Sequence, residues 1–305
     1  MSINGLLGFG LAVPNLAAAE KFYGAFGLEI GSRDGALVMR SPGRAHDEGI
    51  LIEGAVKRLH HVAFSVAAEA YDATLARVKA RGIRVQDEPP KGVPRGGSWF
   101  EDPWGTWVNL SLEPLGPSRT AQDLGNNTGG RAERKDAALW QETDRNPKPL
   151  RLGHIIIYNS DALATEKFYA EVIGLRVSDR VKGRITFMAG TNGDHHCFGV
   201  AASTHRGYQH ASFEVSGIDA IAFGAQRMYD RGYQEAYGPG RHAVASNLFH
   251  YTRDPWGSWI EYYADMDKIT ERWVARDWDT PPVIWGPHVE PTFFRDALFN
   301  NTETR

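Results

Sequence analysis

Glu261 stands in RDPWGSWIEYY (253–263), a run whose turn residues and aromatics otherwise describe a strand with one face against a core. An inward-facing carboxylate there needs a cation or a set of donors, because an unpartnered buried charge is strongly opposed. Two histidines lie on strand-like runs of similar character, His154 in HIIIYN and His210 in GYQHASFEV. Two neutral imidazoles and one carboxylate, each from a different strand, can hold one face of a divalent ion. They leave its other positions open to a chelating small molecule and to O2.

Bringing three strands to one point requires a repeated scaffold, and the chain contains one. LLGFGLAVPNLAAAEKFYGAFGLEIGSRDG at 6–35 lines up with RLGHIIIYNSDALATEKFYAEVIGLRVSDR at 151–180, and RLHHVAFSV at 58–66 with GYQHASFEV at 207–215. Each copy closes with a DPWG turn and an aromatic strand, the earlier one being EDPWGTWVNLSL at 101–112. Matches kept in order predict a duplicated domain. Within each copy, a short strand precedes a helix that ends near Gly, and two or three short strands follow. Such a βαβββ quarter cannot cover its own sheet, so two must pair into one cupped sheet per domain.

The expected class is α+β, in two tandem domains. A scaffold domain occupies 1–115, a polar linker 116–149, the metal-binding domain 150–265 and an aromatic tail 266–305. The tail carries Trp273, Trp278, Trp285, Phe293 and Phe294, and is expected to act as a lid on the second domain or as a subunit contact.

The duplication provides an internal control. In this alignment His154 faces Phe9, His210 faces His61 and Glu261 faces Asn109, so only the second copy keeps all three groups. A two-histidine, one-carboxylate set with open positions is the arrangement of non-haem Fe(II) oxygenases. His154 alone would read as a hydrogen-bonded core histidine, and so would His210, which has a counterpart in the first copy. Glu261 on an aromatic strand has no comparable structural role.

With these residues in place, the chain resembles the type I extradiol ring-cleaving dioxygenases of the vicinal oxygen chelate superfamily over about residues 3–265. GDHHCFGVA at 193–201 is similar to that family's acid–base segment and implies this role for His196. GPGRHAVASNLFHYTRDPWG at 238–257 is similar to its Gly-Pro-Gly-Arg-His run followed by a Tyr, implying site roles for His242 and Tyr251. Their types suit the work, His titrating near neutrality and Tyr donating a hydrogen bond.

The resemblance further implies a catechol-type, di- or trihydroxylated aromatic substrate, O2 as co-substrate and Fe(II), or Mn(II) in the same donor set, as the metal. Tyr237 stands where relatives accepting carboxylated rings carry Arg, which favours an apolar ring substituent. The rivals are a glyoxalase- or epimerase-type enzyme and a metal-free small-molecule-binding protein. His195 reads as part of an exposed turn, His250 as facing away from Tyr251, and Cys197 as a small buried hydrophobe.

Composition agrees with a small-molecule enzyme. At 305 residues, 42% hydrophobic and 23% charged, with a formal charge of -3, the chain lacks the basic excess that nucleic acid requires. Its one cysteine suits a reducing cytoplasm. The apolar N-terminal run, interrupted by Pro14, reads as a strand and a helix start, and no run approaches the roughly 20 residues needed to span a bilayer. A cytoplasmic homo-oligomer with no nucleic-acid or membrane partner is expected.

Overall fold

Apolar runs punctuated by Gly, and helices with one apolar stripe, fold as four related quarters in the computed structural model, which describes residues 2–120, 125 and 127–288. The first sheet comprises β1 (Ile3–Val13), β2 (Glu29–Arg33), β3 (Ala36–Arg40), β4 (Gly49–Glu53), β5 (Arg58–Val66), β6 (Ser98–Glu101) and β7 (Trp107–Ser111), ordered β2-β3-β4-β1-β5-β7-β6. Helices α1 (Leu16–Phe26) and α2 (Ala68–Ala80) make its crossovers. Asn15 caps α1 by accepting the Ala18 N–H, and Gly27 ends it with a φ of 110° that favours glycine. The second quarter has one strand fewer than the others, its outermost strand reduced to a bridge between Gln86 and Trp99.

The described part of 116–149 is mostly exposed, with two short strands, β8 (Asn127–Thr128) and β9 (Arg131–Ala132), and one helical turn, α3 (Leu139–Glu142). Residues 121–124 and 126 of the expected linker lie outside the described residues.

The second sheet is built from β10 (Arg151–Asn159), β11 (Arg176–Val181), β12 (Ile185–Ala189), β13 (Phe198–Ala202), β14 (Gly207–Glu214), β15 (Ala236–His242), β16 (Leu248–Arg253) and β17 (Trp259–Ala264). Helices α4 (Ala162–Lys167), which widens into a π-turn over Phe168–Ile173, and α5 (Ile218–Asp230) complete its quarters. Two further strands come from the tail: β18 (Asp277–Trp278) pairs with β11 and β19 (Val283–Trp285) with β15. The tail therefore supplies both outer edges of a 10-stranded sheet. Ten flat strands would separate those edges by about 43 Å, whereas the chain between Trp278 and Val283 reaches at most about 18 Å. The sheet must curl, and the connecting residues cross its mouth. Phe293 and Phe294, with the rest of 289–305, lie outside the described residues.

The two sheets share one continuous apolar cluster. Phe26 of α1 stacks on Tyr262 of β17 at 3.8 Å, and Arg227 of α5 donates to the carbonyls of Ala25 and Phe26. The repeated DPWG turns also join the halves. Asp102 caps its own turn and accepts the Tyr169 hydroxyl at 3.0 Å, while Asp254 does the same for its turn and forms a buried ion pair with Lys57. No helix among the described residues is long and apolar enough to cross a membrane.

Candidate metal centre

Strand register brings the three expected ligands together. His154 on β10 lies opposite Ser212 on β14, and Ser212 lies beside Glu261 on β17. His210 precedes Ser212 by one pleat and so shares its face. The Nε2 atoms of His154 and His210 are 3.2 Å apart and stand 3.1 and 3.3 Å from Glu261 Oε2. All three residues are buried, and each offers a ligand atom within 4.8 Å of the others. Gly153 permits this close approach, since a Cβ there would lie 2.2 Å from the Tyr263 hydroxyl.

Electrostatics prepare the same set for a cation. Burial opposes ionisation of Glu261, but the imidazoles of His154, His210 and His242 outweigh it and hold the carboxyl well below the usual range. Burial pushes His210 down to about 4, so its ring is neutral. Its Nδ1 faces Gln209 Oε1, which leaves Nε2 as the free ligand atom. Among the described residues, neither oxygen of Glu261 has a hydrogen bond of sound geometry. A fully buried carboxylate facing the imidazoles of His154, His210 and His242 is a site built for a divalent ion, and the donor types fit Fe(II) or Mn(II).

The residues expected to do acid–base work surround this centre. The His196 ring lies 4.3 Å from that of His154, and burial, then the His154 and His195 rings, holds its pKa well below the ordinary value. The Tyr251 hydroxyl is 3.1 Å from His242 Nε2, which is 3.5 Å from Glu261 Oε1. His242 Nδ1 faces the Pro282 carbonyl at 3.3 Å, so the tail orients this ring. All three residues line a cavity of about 660 Å³ together with Ile156, Ile185, Phe187 and Val244. Pro281 and Pro282 of the tail close one side of it.

Some expectations need correction. His195 is fully buried rather than part of an exposed turn, with Nε2 2.9 Å from Asp179 Oδ2. Burial raises the Asp179 pKa, but the bonds from His195 and the Arg276 N–H hold it below the usual range. The counterpart of His154 in the first half is Gly8, not Phe9. Gly8 lies opposite Ala63, which pairs with Asn109, just as His154 lies opposite Ser212, which pairs with Glu261. Phe9 points into the core and stacks on Tyr208. A side chain at Gly8 would meet the Arg95 guanidinium at 2.8 Å, and the buried Trp99 ring packs on His61 at 5.2 Å, so side chains fill the first cup.

Other residues follow their expected placement. Cys197 is buried and its thiol is pushed up to about 12, while His250 is buried but not among the cavity-lining residues. Asn247 also lines the cavity, with a buried amide nitrogen that makes no hydrogen bond among the described residues. Its position in a polar loop gives no sequence signal for this.

His250 makes a separate prediction. Burial lowers its pKa from 6.5 to about 4, so its contribution to stability is full above 6.5 and is lost as pH falls towards 4. The loss is about 2 kcal/mol between about pH 7 and pH 5. His250→Gln should remove that share of the acid sensitivity in urea unfolding curves.

The glyoxalase/bleomycin resistance protein/dioxygenase superfamily model matches residues 5–110 and again 151–262, once per half. The chain belongs to this superfamily. Within it, the chain is 32% identical over 295 residues to metapyrocatechase 2 of Cupriavidus necator, covering 95% of this chain and 91% of that protein. Many solved structures share the fold. Homoprotocatechuate 2,3-dioxygenase from Arthrobacter globiformis has a TM-score of 0.77 at 21% identity, covering 99% of this chain and 95% of that one. The Mn(II)-bound glyoxalase from Novosphingobium aromaticivorans has a TM-score of 0.75 at 23% identity, covering 99% of each chain. The superfamily fold thus accounts for both the half with the candidate metal set and the closed one.

Proposed function

We propose that this superfamily member is an extradiol dioxygenase that opens a catechol-type ring with O2 at one ion held by His154, His210 and Glu261. The buried Glu261 carboxylate facing two imidazoles carries this reading, together with the full-length similarity to a metapyrocatechase. Fe(II), with Mn(II) as the alternative for the same donors, supplies open coordination positions for the ring hydroxyls and O2 and couples electron flow between them.

The chain's own groups do the rest. His196 accepts a proton from a ring hydroxyl and returns it as the ring opens. The Tyr251 hydroxyl and His242 Nε2 orient substrate oxygen. The walls formed by Ile156, Ile185, Phe187 and Val244 exclude water, and an apolar or weakly polar ring substituent fits against them. Arg184 also lines the cavity but is exposed, which weakens any pairing with a carboxylated substituent.

An aerobic assay of the ferrous protein with catechol tests the proposal. Oxygen uptake with a yellow ring-opened product is expected, and carboxylated catechols should react with lower kcat/KM than alkyl-substituted ones. A glyoxalase-type isomerase would consume no oxygen, and a binding protein would turn nothing over.

The tail acts as a strap over the cavity in this reading, supported by its two edge strands and by Pro281 and Pro282 at the mouth. Truncation after Asp267 is expected to leave bound metal, raise KM for catechol and increase oxygen consumption uncoupled from ring opening. Unchanged kinetics with an altered oligomeric state would instead assign the tail to assembly. A cytoplasmic homo-oligomer is also proposed, supported by the lone cysteine and by exposed Ile284 and Trp285 on edge strand β19, and gel filtration tests its oligomeric part.

A further inference from the structure

His196 sits at the end of a buried row of three titratable side chains. Its Nδ1 lies 3.1 Å from His195 Nδ1, and His195 Nε2 lies 2.9 Å from Asp179 Oδ2. Exposure along the row is 3% for His196, 0% for His195 and 1% for Asp179, so water does not substitute for any of these contacts. The second carboxylate oxygen of Asp179 accepts the Arg276 N–H at 2.7 Å. The Trp273 ring stands edge-on to His195 at 5.5 Å, and its Nε1 donates to the Ser178 carbonyl. The tail thus seals the outer end of the row, while Phe187 packs on both histidines from the cavity side.

This geometry restricts where hydrogens can sit. An ionised carboxylate only accepts, so the hydrogen between Asp179 and His195 belongs to His195 Nε2. Taking His195 in its neutral form, with its one N–H directed at Asp179, leaves His195 Nδ1 as an acceptor. The two facing Nδ1 atoms share one hydrogen, which must therefore come from His196. His196 Nε2 is then left with its lone pair on a residue that lines the cavity.

We propose that Asp179 and His195 are positioning residues that hold His196 in its Nδ1–H tautomer, so that Nε2 is the nitrogen presented to the substrate. The logic is that of a carboxylate orienting a catalytic imidazole, lengthened here by one ring. The inference rests on the reading of His196 as the acid–base group, but its test does not depend on that reading.

Nitrogen-15 NMR of the full chain loaded with Zn(II), a diamagnetic ion, reads the tautomer directly. His196 should carry its hydrogen on Nδ1 in the wild type. In Asp179→Asn the side-chain amide can donate to His195 Nε2, reversing the row and moving the His196 hydrogen to Nε2. The iron-loaded variant should lose about 10²–10³-fold in kcat with KM and iron content retained, and Asp179→Glu should recover part of the loss. A purely structural role would leave the tautomer unmoved. An Nε2–H tautomer in the wild type overturns the inference, as does wild-type kcat with an unmoved tautomer in Asp179→Asn. If that variant does not fold, the wild-type spectrum alone decides. An Nδ1–H tautomer in a protein that opens no catechol upholds the row and counts against the dioxygenase reading instead.

Discussion

Glu261→Ala should yield a folded protein that retains no iron and opens no catechol. Outer partners of metal ligands are already worth about 10–100-fold in affinity, so removing a ligand should weaken binding by more than about 100-fold. Stability should fall as well, even in the metal-free protein. There the surrounding imidazoles hold the Glu261 carboxyl below its usual range, so the ionised group contributes to stability at neutral pH and its removal loses that contribution. Unfolding of the metal-free variant should therefore occur at equal or lower denaturant than wild type, while metal addition stabilises only the wild type. His61→Ala should leave metal binding unchanged, because the first cup offers Gly8 and Asn109 where the second offers His154 and Glu261. Stoichiometric iron in purified Glu261→Ala would remove this residue from the ligand set.

His196→Phe should separate chemistry from binding. A phenyl ring preserves the packing between His154, at 4.3 Å, and Phe187, at 4.6 Å, but carries no nitrogen. Iron content and catechol affinity should persist while turnover slows by about 10²–10⁴-fold, the usual worth of a positioned proton acceptor and donor. Stopped-flow mixing with oxygen should show the loss in ring opening rather than in catechol binding. As an exposed turn residue His195 would tolerate Phe, but its buried contact with Asp179 predicts slower turnover for His195→Phe as well. Wild-type turnover in His196→Phe would assign the proton work elsewhere in the cavity.

The ligand set was legible because duplication compares each strand with itself. A carboxylate replacing Asn109 on an otherwise matching aromatic strand is a strong signal when burial opposes charge. The same comparison slipped by one residue at the first strand. Aligning the shared Leu-Gly of 7–8 and 152–153 pairs His154 with Phe9, whereas both strands carry register irregularities at this point, between Leu6 and Gly8 and between Leu152 and His154. The EKFY motifs, one residue out of step with that alignment, held the information that corrects it.

Asp179 was not legible. In RVSDRVKG it resembles any polar residue of an edge strand, whereas in the fold it is buried between His195 and the tail's Arg276 N–H, beside the β11–β18 pairing. The path of the tail was equally hidden, since aromatic content signals burial but not against which surface. His195 followed Asp179, its exposure being read from GTNGD rather than from a partner distant in the chain.

Anomalous diffraction at the iron edge from crystals of the ferrous protein is the most direct test that the chemistry rests on one ion in the second cup. A single peak per chain is expected, bounded by His154 Nε2, His210 Nε2 and the Glu261 carboxylate. A peak beside His61 and Asn109 in the first sheet, or iron bound away from Glu261, would contradict it.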